Sequence, residues 1–319
     1  MILLSGIEIR NNKRDNLRSK IEGIKKKYDD KFTPPTLVIF QIGDNTSSVV
    51  YIEQKKKFAD YIGAQVLHIK LPELIEERDV IEEINNYNID DTVHGIIVQL
   101  PLPKHLSVHN ITNAIDYKKD VDGLCSTSLG LLVLRDFNNQ KYSTEGKMDH
   151  DKINDEEKPF EFKGFMPATT KGILTLLDEY GIEIEGKNVC IVGRSVLVGK
   201  PTALILLARN ATVTICHSKT KNLKELTGSA DILISAVGSP NLIDKNFVSK
   251  NQVIIDVGIK SLEIKDENGN IVKKLFGDVS FDEVSKIVSA ITPVPGGVGP
   301  LTVTSLFENL FESFYNTLL

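Results

Sequence analysis

Apolar runs alternate with mixed polar segments along most of the chain, and the period of each run predicts its structure. Residues 15–28 repeat with helical spacing. Thr36 to Gly43 (TLVIFQIG) is a nearly continuous apolar run and predicts a buried strand. Asn45 to Ser48 carry helix-cap chemistry, and a helix is expected from there to about Tyr61. A strand is expected at 65–71, a helix at about 78–87 and a strand at 93–100. Further on come a helix at about 169–180, a strand at 188–192 and a helix at about 199–209. Strands at 212–216, 232–236 and 253–257 follow, with a last helix at about 302–317. Near-continuous apolar strands separated by helices predict the α/β class, with a mainly parallel sheet covered on both faces. No internal repeat is visible.

The alternation breaks between Arg135 and Gly164, where the chain is polar, charged and aperiodic. This stretch reads as a solvated insertion or connection, and its charge run is more simply a loop kept soluble than a partner site. A length of 319 residues suits about two domains. The net charge of −5 with 25% charged residues leaves no broad basic footprint for nucleic acid. No apolar run reaches the roughly 18 residues that a bilayer span requires. Three cysteines without CxxC spacing predict reduced, buried thiols, not a disulfide framework or zinc site. The six histidines show no metal-ligand pairing, so no metal is expected. The N-terminus lacks the pattern of a signal or transit peptide, which makes a cytoplasmic protein the expectation.

Lys187 to Gly199 runs from an apolar strand through a glycine-bearing turn into a helix, with Pro201 in the first helical turn. Such a turn lets backbone amides and a helix N-terminus hold a pyrophosphate. The spacing is Gly193-x-Ser195-x-x-x-Gly199, not GxGxxG, so taken alone it also fits a purely structural turn. The next strand ends in Cys216, His217, Ser218 and Lys219, where an NAD site would place an acid against the ribose. With Arg194 in the preceding turn, hydroxyl and cationic groups suit a 2′-phosphate, which favours NADP over NAD. Lys219 also fits a merely solvated lysine.

In the first half, Tyr51 and Lys55 are spaced i, i+4 and share a helix face. Lys56 and Lys57 are rotated from it by about 100° and 200°. By spacing alone this is also the pattern of an exposed lysine beside a half-buried tyrosine. Gln99 ends a very apolar strand, at the edge where parallel sheets hold ligands. Asp120 and Asp122 sit in a tight turn, KDVDG at 119–123. Residues 291–300 (ITPVPGGVGP) are too rigid and glycine-rich for a casual linker, and the glycines permit close approach of a ligand.

In this order YIEQK (51–55), GIIVQLPLP (95–103), KDVDGL (119–124), VGRSVLVGKP (192–201), GDV (277–279) and ITPVPGGVGPLTV (291–303) resemble the bifunctional methylenetetrahydrofolate dehydrogenase/cyclohydrolase family. The resemblance covers nearly the whole chain outside 135–164. It implies two α/β domains with a cleft between them, and homodimers are usual in the family. Residues 1–134, completed by the helix at 300–319, would bind folate, and residues 165–299 would form a Rossmann-type NADP domain. By position, Lys55 resembles the catalytic lysine, Tyr51 the ring stacked on folate, Gln99 the lysine's hydrogen-bond partner and Asp122 the acceptor for pterin N–H groups. Leu100, Pro295, Gly296, Gly297 and Gly299 would line the folate site. Gly193, Arg194, Ser195, Gly199, His217 and Ser218 match NADP-contacting positions, with Ala236, Gly258, Ile259 and Thr302 nearer the nicotinamide.

One departure stands out. The family commonly has Pro-Cys-Thr-Pro where this chain has Pro167, Ala168, Thr169 and Thr170, so Thr169 is carried over as a cofactor contact on a partial match. The implied activity is NADP-dependent oxidation of 5,10-methylenetetrahydrofolate followed by hydrolysis to 10-formyltetrahydrofolate. A monofunctional NAD-linked dehydrogenase and a non-catalytic nucleotide-binding Rossmann protein are the alternatives. Lys55 and the missing acid near Ser218 weigh against the first. The co-occurrence of Tyr51, Lys55, Gln99 and Asp122 weighs against the second.

Overall fold

The computed structural model describes residues 1–134, 164–265 and 271–318, which divide into two compact units. One holds residues 10–134, 164–168 and 303–318; the other holds 1–9 and 169–302. Apart from Gly164, the polar connection expected over 135–164 lies outside the described residues.

The chain opens with β1 (Ile2–Leu3) and α1 (Gly6–Tyr28). It continues through β2 (Thr36–Ile42), α2 (Thr46–Ile62), β3 (Gln65–Leu71), α3 (Glu77–Asn88), β4 (Gly95–Val98), α4 (Val108–Asn113) and α5 (Ser126–Leu134). β2 is the centre of a parallel sheet of order β3-β2-β4, and all its residues are buried. Side chains alternate across the pleat. Leu37 and Ile39 therefore join one core with Leu17, Ile52, Phe58, Phe307 and Leu310, while Val38, Phe40 and Ile42 join another with Val80 and Ile84. Apolar partners on both faces explain why β2 is apolar except at Thr36 and Gln41. At the start of α2, Asn45 Oδ1 accepts the Ser48 N–H at 3.2 Å, which satisfies a helix-end donor.

The second half contributes α6 (Ala168–Glu179), β5 (Asn188–Val192), α7 (Gly199–Ala208), β6 (Thr212–Cys216), α8 (Leu223–Gly228), β7 (Ile232–Ser235) and β8 (Val253–Asp256). Then come β9 (Lys260–Lys265), β10 (Ile271–Phe276), α9 (Phe281–Val284), β11 (Ala290–Ile291) and α10 (Val298–Asn316). A six-stranded parallel sheet has the order β1-β11-β8-β7-β5-β6. β9 and β10 form a separate antiparallel pair that the apolar pattern did not reveal. The first residues also depart from expectation: Ile2 and Leu3 pair with Ala290 and Ile291, joining the second-half sheet. Two residues are too few to show a period.

α10 begins earlier than expected, inside the glycine-rich segment, with Pro300 in its first turn where a missing N–H costs least. Cys125, Cys190 and Cys216 are buried free thiols, and burial raises the pKa of Cys125 to about 11. Among the described residues no helix is long and apolar enough to cross a membrane.

His94 locks β2 to the turn before β4. Its Nδ1 accepts the Thr36 N–H at 3.1 Å, its own N–H donates to Thr36 O at 3.0 Å, and its ring meets Phe314 edge-on at 5.0 Å. Burial, aided by the Lys119 charge, lowers its pKa from 6.5 to about 4. The unfolded chain therefore binds one more proton between these values, so stability is lost as pH falls from 6.5 towards 4. At about 1.4 kcal/mol per unit, the loss from this group is about 3 kcal/mol. Urea unfolding across that range is expected to show a shallower acid slope for His94→Asn, which keeps an acceptor but cannot titrate. An unchanged slope would remove His94 as the cause.

Candidate active site

Helix α2 and the end of β4 bring a lysine and an amide together. Gln99 lies one residue past β4, yet its N–H still donates to Phe40 O at 2.8 Å, so the sheet fixes its backbone. Its side-chain Nε2 donates to Leu100 O at 3.0 Å, which leaves Oε1 to accept Lys55 Nζ at 2.7 Å. Lys55, Gln99, Leu100 and Asp122 are all half-buried, and Tyr51 is 37% exposed. Burial lowers the Lys55 pKa, opposed by the nearby Asp122 charge. Burial raises that of Asp122, opposed in turn by Lys55. Both shifts favour the neutral forms. Burial also raises the Tyr51 hydroxyl pKa. Lys56 turns away and pairs with Glu53 at 2.8 Å.

The turn carrying Asp122 is braced from beneath by groups that sequence reasoning did not single out for this purpose. Asp120 is buried and accepts the Cys125 N–H at 2.8 Å, and burial raises its pKa to about 6. Asn309 Nδ2 bridges Val121 O at 2.9 Å and Met166 O at 3.0 Å. Ala168 N donates to Asp122 O at 3.3 Å.

The glycine turn lies between β5 and α7. Gly193 has φ +125°, a value that favours glycine, and its N–H donates to Cys216 O at 2.8 Å. A Cβ there would overlap Ala236 O, and one on Gly199 would overlap Gly193 O. Main chain thus packs directly on main chain, leaving backbone instead of side chains to line the turn. Ser195 Oγ accepts the Val198 N–H at 3.2 Å, and Arg194 and Ser195 are exposed. Beyond β6, the His217 N–H donates to Thr220 Oγ1 at 2.8 Å, and Ser218 and Lys219 are exposed. A backbone cradle followed by hydroxyl and cationic groups, with no carboxylate at residues 217–221 directly after β6, fits a phosphorylated dinucleotide.

Ala236 follows β7, and Gly258 and Ile259 follow β8. Thr169 stands half-buried in the first turn of α6, while its neighbour Thr170 is buried against Thr202 at 3.0 Å. Thr302 lies on α10 in the same unit. Pro295, Gly296, Gly297 and Gly299 also belong to this unit, whereas Tyr51, Lys55, Gln99, Leu100 and Asp122 belong to the other. Chain packing already accounts for two of those glycines. Gly296 has φ +108°, and a Cβ on Gly297 would stand 2.7 Å from Pro293 O.

Two family descriptions match the chain. Residues 4–122 match the tetrahydrofolate dehydrogenase/cyclohydrolase catalytic domain, and residues 167–318 match the NAD(P)-binding domain of the same family. The bifunctional protein FolD of Clostridium novyi is 42% identical over 311 residues, 98% of each chain. The bifunctional FolD structure from Campylobacter jejuni superposes with TM-score 0.83 at 38% identity, covering 99% of both chains. That of Trypanosoma brucei FolD, complexed with NADP and an inhibitor, gives TM-score 0.84 at 28% identity, covering 100% of this chain and 98% of the other. With its two halves matched in order and a relative this similar over its length, the chain belongs to the tetrahydrofolate dehydrogenase/cyclohydrolase family.

Proposed function

We propose that the chain oxidises 5,10-methylenetetrahydrofolate with NADP+ and hydrolyses the methenyl product to 10-formyltetrahydrofolate. The observation that carries this reading is the 2.7 Å bond from Lys55 Nζ to Gln99 Oε1, in a corner where burial holds the lysine pKa down. In the substrate, two nitrogens flank the one-carbon unit, and their lone pairs help a hydride leave. The protein's task in that step is alignment. NADP+ supplies the hydride acceptor, and Gly193, Arg194, Ser195, Gly199, His217 and Ser218 are the residues that would hold it. The methenyl product is a cation, and a fixed ammonium beside it would repel it. An uncharged Lys55 instead takes a proton from the attacking water and returns it to the ring nitrogen as its bond to carbon breaks, while the second water proton leaves to solvent as the hydroxyl becomes the formyl carbonyl. Gln99 orients the amine, Asp122 accepts the pterin N–H groups, and Tyr51 stacks on the ring. The folate-binding part expected over 1–134 with 300–319 keeps 10–134 and 303–318, residues 1–9 and 300–302 falling in the unit that would bind NADP, and the working protein is a cytoplasmic homodimer.

Two absorbance traces test the activity. Methenyl compound is expected to accumulate from methylenetetrahydrofolate with NADP+ faster than with NAD+, and added methenyl compound is expected to decay faster than in buffer. Oxidation with NAD+ alone and no accelerated decay would establish the monofunctional alternative. The 2′-phosphate assignment has its own test. Removing a charge-assisted contact costs about 1.5–3 kcal/mol, so Arg194→Ala is expected to raise KM for NADP+ about tenfold or more and leave KM for NAD+ near its original value. An unchanged NADP/NAD preference defeats that assignment.

A further inference from the structure

Two buried carboxylates that the proposed chemistry leaves unused interlock at the C-terminal ends of β7 and β8. Asp278 Oδ2 accepts from Ser235 Oγ at 3.0 Å and Val237 N at 2.7 Å, and its Oδ1 accepts from Ser239 N at 2.7 Å. Asp256 Oδ1 accepts from Gly258 N and Asp278 N, both at 3.0 Å, and its Oδ2 from Val279 N at 2.9 Å. The Asp256 N–H donates to Thr292 Oγ1 at 2.7 Å. The two residues are only 1% and 4% exposed (Asp278 and Asp256), and no ion pair to either is present among the described residues. Burying carboxylates without cations is expensive, and here backbone amides offset the cost. Space is cleared for them as well. A Cβ on Gly258 would overlap the Asp278 carboxylate, and one on Gly277 would overlap that of Asp256.

The amides so held belong to the loop after β7, the loop after β8 and the segment at 277–279. The strand order β6-β5-β7-β8 fixes what those loops face. A dinucleotide with its 2′-phosphate beyond β6 and its pyrophosphate at the β5 turn carries its nicotinamide over the ends of β7 and β8. The geometry points to Asp256 and Asp278 as positioning residues that hold residues 236–239 and 257–259 for the nicotinamide end, so that hydride transfer depends on them and methenyl hydrolysis does not. This inference rests on the functional reading above.

Asp278→Asn tests it, because a carboxamide keeps one acceptor oxygen and turns an NH2 towards amides that need acceptors. Leaving a buried donor unpaired translates into about a 10- to 100-fold effect. Dehydrogenase kcat is expected to fall by about that factor. The Kd for NADP+ by calorimetry should move less, since the adenosine end is untouched. Amide exchange at Val237 and Ser239 in cofactor-free protein should quicken about tenfold, and methenyl hydrolysis should stay within about twofold of the original. Ser235→Ala, which removes one donor and no charge, is expected to give a smaller drop in dehydrogenase kcat and supplies the same comparison if Asp278→Asn does not fold. Unchanged dehydrogenase kcat, or both activities falling together, overturns the inference. An original chain inactive in both assays would overturn the functional reading and this inference with it.

Discussion

Lys55→Met is expected to reduce hydrolysis of the methenyl compound by about 10²–10⁴-fold, the range supplied by a positioned proton-transfer group. Met matches the length of the lysine stem but carries no proton, and Gln99 Oε1 loses its 2.7 Å donor. Hydride transfer is expected to fall less, because the proposed mechanism gives the lysine no part in that step. Lys56→Met is the matched control. Its amine already pairs with Glu53 at 2.8 Å on another face of α2, so its replacement is expected to leave both rates near the original. Stopped-flow decay of added methenyl compound reads the first effect, and wild-type decay in Lys55→Met would show that the assigned role is wrong.

Gly199→Ala is expected to separate the two activities in the opposite sense. The new Cβ would overlap Gly193 O and stand 2.7 Å from its carbonyl carbon and 3.0 Å from Arg194 Cα. All three are main-chain atoms of the turn and have no rotamer into which to retreat. Overpacking of this kind costs about 1–3 kcal/mol, and relieving it means opening the turn that would hold the pyrophosphate. Dehydrogenase kcat/KM for NADP+ is expected to fall about 10- to 100-fold. Hydrolysis, which is proposed to draw on Lys55, Gln99 and Asp122, should persist. Unaltered NADP+ affinity in this variant would show that the turn is structural.

Much of the fold was legible because the central strands β2 and β5 are largely buried and apolar, and the edge strands β3 and β6 keep enough apolar or β-branched residues to read as strands. The expected strands at 36–43, 65–71, 188–192 and 212–216 coincide with β2, β3, β5 and β6 to within a residue. What escaped was short or charged. β1 and β11 have two residues each, and Lys260, Lys273 and Lys274 interrupt any apolar alternation along β9 and β10. In the candidate site, i, i+4 spacing puts Tyr51 and Lys55 on one helix face, but no local pattern says that Gln99, 44 residues later, meets the lysine. The sheet does that by setting the end of β4 beside α2. Asp256 and Asp278 were harder still. Five of their six partners are backbone amides, and backbone amides leave no trace in side-chain pattern.

The mechanism stands on the charge state of one amine, and NMR titration of carbon-13-labelled lysine side chains measures it directly. With Lys55 assigned through its loss in Lys55→Met, its midpoint is expected below the ordinary lysine value of 10.5, and lower again in Asp122→Asn, because the Asp122 charge opposes the burial effect. A Lys55 that titrates at the ordinary value, unmoved by the loss of Asp122, would contradict the account.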